Sequence, residues 1–279
     1  MCAQRLFVAG ALVLVLGACG PAARAAERIV SLNPSLTEML VALGAEDRIV
    51  GIDDRSARQH RGLADRPTVG GLFNPSLEAV IALAPDVVVL VPSAQQRDLR
   101  ARVQELGIEV LELPNITLDE LLASIEVLGE LVERREAARE RVAEIRAAFE
   151  ATARRAAGRH PPRVVFALQR DPLYVVGAGS FLDAMLRAAG AINAAAELGG
   201  PYPQASLEWL IASQPDVILD ASEDAEDAAS FWSRWGSLPA VAKGRVIALP
   251  PAEVTLPGPY LDRGLRRIAD ALHAPDAAP

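Results

Sequence analysis

Short apolar runs alternate with amphipathic stretches along most of this chain. Residues 28–32, 49–52, 87–91 and 109–113 are apolar and rich in β-branched side chains, which predicts strands. Residues 35–43, 76–82 and 95–106 carry apolar positions at helical spacing, and several open at a serine or an Asn-Pro pair, which predicts helices. Strands and helices in this alternation build a parallel sheet covered by helices. The rhythm then changes. Residues 118–157 contain no proline and one glycine, Gly129. Leu121, Leu122, Ile125, Leu128, Val132, Val142, Ile145 and Phe149 fall largely three or four apart, with Arg and Glu on the other face. Asp119 and Glu120 stand near the start, where negative charge suits the helix dipole. This predicts one rigid helix, about 60 Å long at 1.5 Å per residue. It ends at Gly158, before Pro161-Pro162. Strands are expected again at 164–168, 174–176, 217–219 and 246–249, with helices at 181–189, 206–212, 224–235 and 260–271.

An internal repeat adds architecture to this pattern. Ser76-Leu77-Glu78-Ala79-Val80-Ile81-Ala82-Leu83-Ala84-Pro85-Asp86-Val87 aligns with Ser206-Leu207-Glu208-Trp209-Leu210-Ile211-Ala212-Ser213-Gln214-Pro215-Asp216-Val217 at an offset of 130, with eight of twelve positions identical. A weaker match pairs Leu36, Met39, Leu40, Ala42, Gly44 and Ala45 with Leu182, Met185, Leu186, Ala188, Gly190 and Ala191. Two copies flanking a long helix imply two similar lobes; a solenoid would need three or more repeats. The expected fold is α/β: two Rossmann-like lobes with parallel sheets, joined by one long rigid helix. Its divisions are 1–18 leader, 19–27 tether, 28–117 first lobe, 118–158 connecting helix, 159–273 second lobe and 274–279 tail. Within each repeat the serine reads as an N-cap and Pro-Asp as the helix stop before a buried strand. Glu78 and Glu208 either serve the helix dipole alone or present one carboxylate per lobe to a partner with two-fold symmetry.

Composition narrows the chemistry. The chain has 279 residues, 51% of them hydrophobic, enough for a full core. A net charge of −8 argues against nucleic acid, which needs a basic face. Lys243 is the single lysine, so arginine abundance reflects codon bias more than phosphate sites. Two cysteines, Cys2 and Cys19, and three histidines, His60, His160 and His273, form no CxxC, no HExxH and no cluster, so no metal site is expected.

The first residues read as an address. Arg5 precedes an apolar run from Leu6 to Ala18. As a helix it spans about 20 Å, too short for a bilayer core of about 30 Å. A positive start followed by a short apolar stretch describes an export signal. Leu16-Gly17-Ala18-Cys19 resembles the bacterial lipobox, which implies a lipidated Cys19 as the mature N-terminus, held at the membrane on its periplasmic side. The alternatives are cleavage after Ala23-Arg24-Ala25-Ala26, giving a soluble periplasmic protein, and an uncleaved anchor.

The chain as a whole resembles the helical-backbone (class III) substrate-binding proteins of ABC importers, which bind cobalamin, haem and ferric siderophores. The resemblance rests on Arg28-Ile29-Val30-Ser31-Leu32-Asn33-Pro34-Ser35 with Thr37-Glu38, on Leu43-Gly44-Ala45, on Ile49-Val50-Gly51, and on Val69-Gly70-Gly71 leading into the first repeat. In the second half it rests on Gly177-Ala178-Gly179-Ser180-Phe181, Gly190-Ala191-Ile192-Asn193 and Tyr202-Pro203-Gln204 before the second repeat. It covers residues 28 to 272 and is nearest to the cobalamin binders. The resemblance implies a monomer that works with a permease dimer and its ATPase subunits. It also implies that Glu78 and Glu208 dock on permease arginines.

The ligand is expected between the lobes, beside the strand-end loops. Candidate contacts are Arg55, Phe73, Arg170, Tyr174, Tyr202 and Glu253, with Asp53, Asp54, Leu72, Trp232 and Val254 as further wall residues. The resemblance implies a corrinoid first, because Tyr202, Tyr174 and Glu253 match positions that cobalamin binders use. Arg55 and Leu72 depart from that pattern, and Arg55 with Arg170 would suit an anionic ferric chelate. A ferric siderophore is therefore the alternative, with haem third. No resident cofactor is expected. Catalysis lacks a coherent set of groups. Gly177-Ala178-Gly179-Ser180 imitates a phosphate loop, but Leu182 stands where a third glycine belongs. A pure interaction module without a small-molecule cleft is the remaining rival. A rigid connector implies lobe closure of only a few degrees or so.

Overall fold

The structure is a computed structural model that describes residues 25–224 and 227–273. The expected leader, Cys19, most of the tether and the tail lie outside the described residues.

The first lobe opens with β1 (Ile29–Ser31), α1 (Pro34–Ala42), β2 (Ile49–Ile52) and α2 (Asp54–Gln59). A short antiparallel ribbon follows, β3 (Gly70–Gly71) and β4 (Asn74–Pro75), then α3 (Leu77–Ala82), β5 (Val87–Leu90), α4 (Arg97–Glu105) and β6 (Glu109–Glu112). The sheet order is β2-β1-β5-β6, and every pairing is parallel. Val87–Leu90 is buried throughout, as expected for a strand covered on both faces. Asn33 caps α1 by accepting from the Ser35 amide at 2.9 Å, and Pro34 fills the first helical position, where its missing N–H costs nothing.

The connecting segment corrects the expectation of a single rigid helix. It is two helices, α5 (Leu118–Leu131) and α6 (Arg135–Ala156). Thr117 and Glu120 form a capping box at the start of α5. At its end Glu133 takes a left-handed φ of 55°. The Glu133 amide donates to the Glu130 carbonyl at 3.2 Å, and the Arg134 amide donates to Gly129 at 2.7 Å. That is a Schellman turn, which usually carries glycine at the left-handed position. Glu133 gave no glycine signal, so the stop was hidden. Gly129 has another task. A Cβ there would lie 2.3 Å from the Ala138 Cβ, so α5 and α6 touch where the chain turns.

The second lobe contains β7 (Arg163–Arg170), β8 (Leu173–Val175), α7 (Phe181–Ala188), β9 (Ile192–Asn193), α8 (Leu207–Ser213), β10 (Val217–Asp220), α9 (Ala228–Trp232), α10 (Pro239–Ala242), β11 (Val246–Ala248), α11 (Pro251–Val254) and α12 (Leu261–His273). The order β11-β10-β7 is parallel, β9 adds to β7 in parallel, and β8 lies antiparallel to β7. The long helix expected at 224–235 shrinks to α9 and a 3₁₀ turn, Ser233–Trp235.

One buried cluster runs through both lobes and the connector. It joins Leu36 and Met39 of α1, Leu121 and Ile125 of α5, Val142 and Ile145 of α6, Leu182 and Met185 of α7, and Leu265 and Ile268 of α12. Arg141 of α6 pairs with Asp262 of α12 and pins the connector to the second lobe. The Phe181 amide donates to the Ile116 carbonyl at 2.8 Å, tying α7 to the end of the first lobe.

The repeat is structural in detail. The Ser76 and Ser206 hydroxyls accept from the Ala79 and Trp209 amides at 3.2 and 3.1 Å. Ala84 and Gln214, equivalent positions, both turn left-handed, at φ 42° and 45°. The Asp86 carboxylate accepts from the Arg28 amide at 2.9 Å, and Asp216 accepts from the Arg163 amide at 3.0 Å. Each aspartate thereby locks its strand to the strand beside it. The Arg28 Nε donates to the Ala84 carbonyl just past α3, and the Arg163 Nε donates to the Ser213 carbonyl that ends α8, both at 2.9 Å.

Candidate functional site between the lobes

A cleft of about 210 Å³ opens between the two sheets. Its walls come from chain just past the strands. Asn33, Pro34 and Ser35 follow β1, Arg55 and Gln59 follow β2, and Asn115 follows β6. From the other side Glu223 follows β10, and Pro251, Ala252 and 255–257 follow β11. The carboxyl ends of the two sheets therefore face each other, the place where open α/β sheets bind ligands. The first-lobe rim is held by hydrogen bonds. Ser35 donates to the Asn33 Oδ1 at 2.7 Å, and the Asn115 amide donates to the Ser35 hydroxyl at 3.1 Å. Arg55 and Glu223 meet across the opening at 3.5 Å.

Arg55 is thus the expected contact that lines the cleft, together with Leu72. Phe73 stands next to Leu72 on the β3–β4 ribbon and is 67% exposed. Gln96 anchors that ribbon by donating to the Leu72 carbonyl at 2.6 Å.

Arg170 departs from the expectation of a cleft cation. It ends β7 but is only 8% exposed. Its Nε donates to Asp220 at 2.9 Å, and its guanidinium lies 5.0 Å from the centre of the Phe231 ring. Trp232, expected as wall, is buried as well and donates its indole N–H to Asp220. Burial works against the Asp220 charge. Hydrogen bonds from Ser222, Trp232 and Arg170 outweigh it and hold the carboxyl below its usual range. Asp53 is also interior. It is fully buried and caps α2, accepting from the Arg55 and Ser56 amides at 2.9 and 3.0 Å. Ser56, Thr37 and Ser31 continue the buried chain of hydroxyls. His60 lies nearby, and burial lowers its pKa against the opposing pull of Asp53. Val254 is buried in the core.

Tyr174 and Tyr202 come from adjoining segments, since Tyr174 bridges to Gln204 and the Val175 amide donates to the Pro203 carbonyl at 3.1 Å. Both are half-buried, and neither borders the cleft beside Arg55. Burial pushes the Tyr202 phenol up to about 12. Glu253 sits on α11 and pairs with Arg267 at 2.8 Å. It faces a neighbouring opening of about 290 Å³, with Glu38, Tyr260 and Arg263. Burial raises the Glu38 carboxyl there, with Arg263 pulling the other way. Ala252 and Leu256 form the wall shared by the two openings.

Asn115, Glu223, Pro251, Ala252 and 255–257 line the cleft without having been expected there. Their shared signal was position, each lying on chain that follows the carboxyl end of a strand.

The glycine loop before α7 does not cradle an anion. A Cβ on Gly177 would lie 2.2 Å from the Gly200 carbonyl oxygen, so that glycine serves a close backbone approach. Asp183 accepts from the Gly179 amide at 3.2 Å and already fills the helix start with negative charge. Among the described residues no group of three His, Cys, Asp or Glu could hold a metal ion, and no helix is long and apolar enough to cross a membrane.

Glu78 and Glu208 are exposed in the first turns of α3 and α8. These helices run back along their sheets, so each glutamate stands at its own lobe's cleft-side edge. Each carboxylate contacts its own capping serine, Ser76 or Ser206, and no cation among the described residues pairs with either. The Glu208 carboxyl is held below its usual range by its own amide and by Ser206.

Comparison with known proteins fits this geometry. The vitamin B12-binding protein of Vibrio cholerae is 28% identical over 235 residues, 84% of each chain. A crystal structure of the periplasmic vitamin B12-binding protein of that species superposes with a TM-score of 0.76 at 26% identity, covering 88% of this chain and 96% of that one. A cobalamin-binding protein of Halobacterium salinarum is 31% identical over 263 residues, 88% of this chain and 69% of its own. A periplasmic haem-binding protein from Roseiflexus sp. RS-1 superposes equally well, with a TM-score of 0.76 at 28% identity over 88% of this chain and 98% of that one. With the family pattern matched across residues 29–253, the chain belongs to the periplasmic binding protein family.

Proposed function

We propose that this chain is the substrate-binding component of an ABC importer and that it captures a corrinoid, cobalamin, between its lobes. The observation that carries the reading is the cleft formed where the carboxyl ends of two sheets face each other. The likeness to two cobalamin binders from distant organisms supports the choice of ligand. Glu78 and Glu208 dock the loaded protein on the two permease subunits, whose ATPase partners drive release. The chain is exported, acts as a monomer, and is held at the membrane through Cys19 by the lipobox-like Leu16-Gly17-Ala18-Cys19.

The cleft is smaller than the roughly 300–1,000 Å³ typical of small-molecule sites. A corrinoid therefore enters by parting Arg55 from Glu223, with the aromatic side chains Phe73, Tyr174 and Tyr202 on its outer margins. Glu253 contributes from the adjoining opening. The arginine at the rim favours a second reading, a ferric siderophore or haem, whose negative groups would replace Glu223 on Arg55. Calorimetric titration of the leaderless protein with cyanocobalamin, a ferric hydroxamate chelate and haemin separates these readings. Tight cobalamin binding supports the first. Silence toward cobalamin with tight binding of either iron ligand moves the assignment to the second. No binding of any of them favours an interaction module.

A further inference from the structure

The two repeats share an exposed apolar residue whose identity folding does not require. Ile81 and Ile211 occupy equivalent positions, 38% and 42% exposed. Each lies three residues after its glutamate, so Glu78 with Ile81 and Glu208 with Ile211 share a helix face. Leu207, equivalent to Leu77, is also 42% exposed, one turn before Ile211. The capping serines, the Asp86 and Asp216 locks and the burial of Val87 and Val217 account for three of the repeat's shared residues. Isoleucine at the surface is explained by none of them.

We propose that Ile81 and Ile211 are paired apolar anchors for the permease dimer, each seated in an apolar socket beside the cation that meets Glu78 or Glu208. This rests on the docking role proposed above. Its physical basis is the weakness of an ion pair left exposed to water. Apolar contacts that exclude water around such a pair are what make it hold. A partner with two-fold symmetry would present the same socket twice, which explains why both lobes carry the same Glu and Ile spacing.

The test uses the full chain and the permease–ATPase complex from the same genome, purified in lipid nanodiscs. Binding is measured for I81S, I211S, the double variant and E78R/E208R. Cyanocobalamin titration and thermal unfolding serve as controls. The double serine variant should dock at least tenfold more weakly, with each single variant between it and wild type, and both controls unchanged. If the serines unfold α3 or α8, I81T with I211T keeps the branched shape and should show the same ordering. Loss of docking in E78R/E208R with docking retained within twofold in the isoleucine variants overturns this inference and leaves the docking role intact. Undiminished docking in both sets overturns the docking role itself.

Discussion

Arg55 of the first lobe and Glu223 of the second meet at 3.5 Å across the mouth of the cleft. Their side chains are 52% and 75% exposed, so the pair adds at most about 1 kcal/mol to stability. A weak pair at an entrance is a latch that a ligand can displace. Glu223→Gln should leave thermal unfolding nearly unchanged and speed ligand association a few-fold. Stopped-flow fluorescence checks this. High ionic strength should raise the wild-type rate toward that of the variant, since salt screens exposed charges. Equal rates at low salt would count against the latch.

Asp220 behaves oppositely, because its partners are buried. Asp220→Asn keeps the size of the side chain but places an NH2 donor where a carboxylate oxygen accepts, and it removes the negative charge that Arg170 meets inside. Asp224, at 3.7 Å and 43% exposed, compensates only in part. The expected cost is about 3–5 kcal/mol, the usual penalty for breaking a buried pair. Urea unfolding measures it. A loss under 1 kcal/mol, by the same scale, would mean that Arg170 finds other compensation.

The same group sets a pH dependence. The folded carboxyl of Asp220 lies below its ordinary value, 3.8. Its contribution is therefore complete above that unfolded value and is lost as pH falls through the lower folded value. Urea midpoints followed from about pH 6 to pH 2 should fall at the acid end, and fall less steeply in Asp220→Asn. Parallel acid limbs in the two proteins would assign the acid sensitivity to other carboxylates.

The lobes were legible in the sequence because buried parallel strands read as uninterrupted apolar runs, as Val87–Leu90 does. The repeat carried its own caps and stops, so α3 and α8 fall within a residue of their expected bounds. What escaped notice depended on contacts distant in sequence. Arg170 reads as a cleft cation until Asp220, fifty residues on, is folded against it. Glu223 reads as an ordinary surface acid until Arg55 arrives from the other lobe. Short helices such as Pro251–Val254 carry too few turns to show a period.

Tyr202 tests the aromatic side of the proposed pocket. It is half-buried against the core, and its phenol is pushed up to about 12 by burial. Tyr202→Phe should bind cyanocobalamin within about threefold of wild type, because the ring remains, whereas Tyr202→Ala should lose at least tenfold through the lost ring contact. Absorbance titration supplies an internal check. The phenol that ionises near pH 12 should vanish from the Phe variant. Equal affinity in the Phe and Ala variants would remove Tyr202 from the pocket.

The turn between α5 and α6 decides how the lobes can move. Glu133 holds a left-handed conformation that costs a residue with a Cβ about 1–2 kcal/mol. Glycine removes that strain but gains freedom in the unfolded chain, so Glu133→Gly should stabilise by up to about 1 kcal/mol. Gly129→Ala should do the reverse. Its Cβ would sit 2.3 Å from that of Ala138, and relieving the overlap by shifting the helices should cost about 1–3 kcal/mol. Because α5 and α6 share one core with both lobes, the wild type should change its radius of gyration little when cyanocobalamin binds. Forcing α5 from α6 in Gly129→Ala should loosen that shared core and enlarge the ligand-induced change in small-angle scattering. A large compaction in the wild type itself would show that the broken connector works as a hinge.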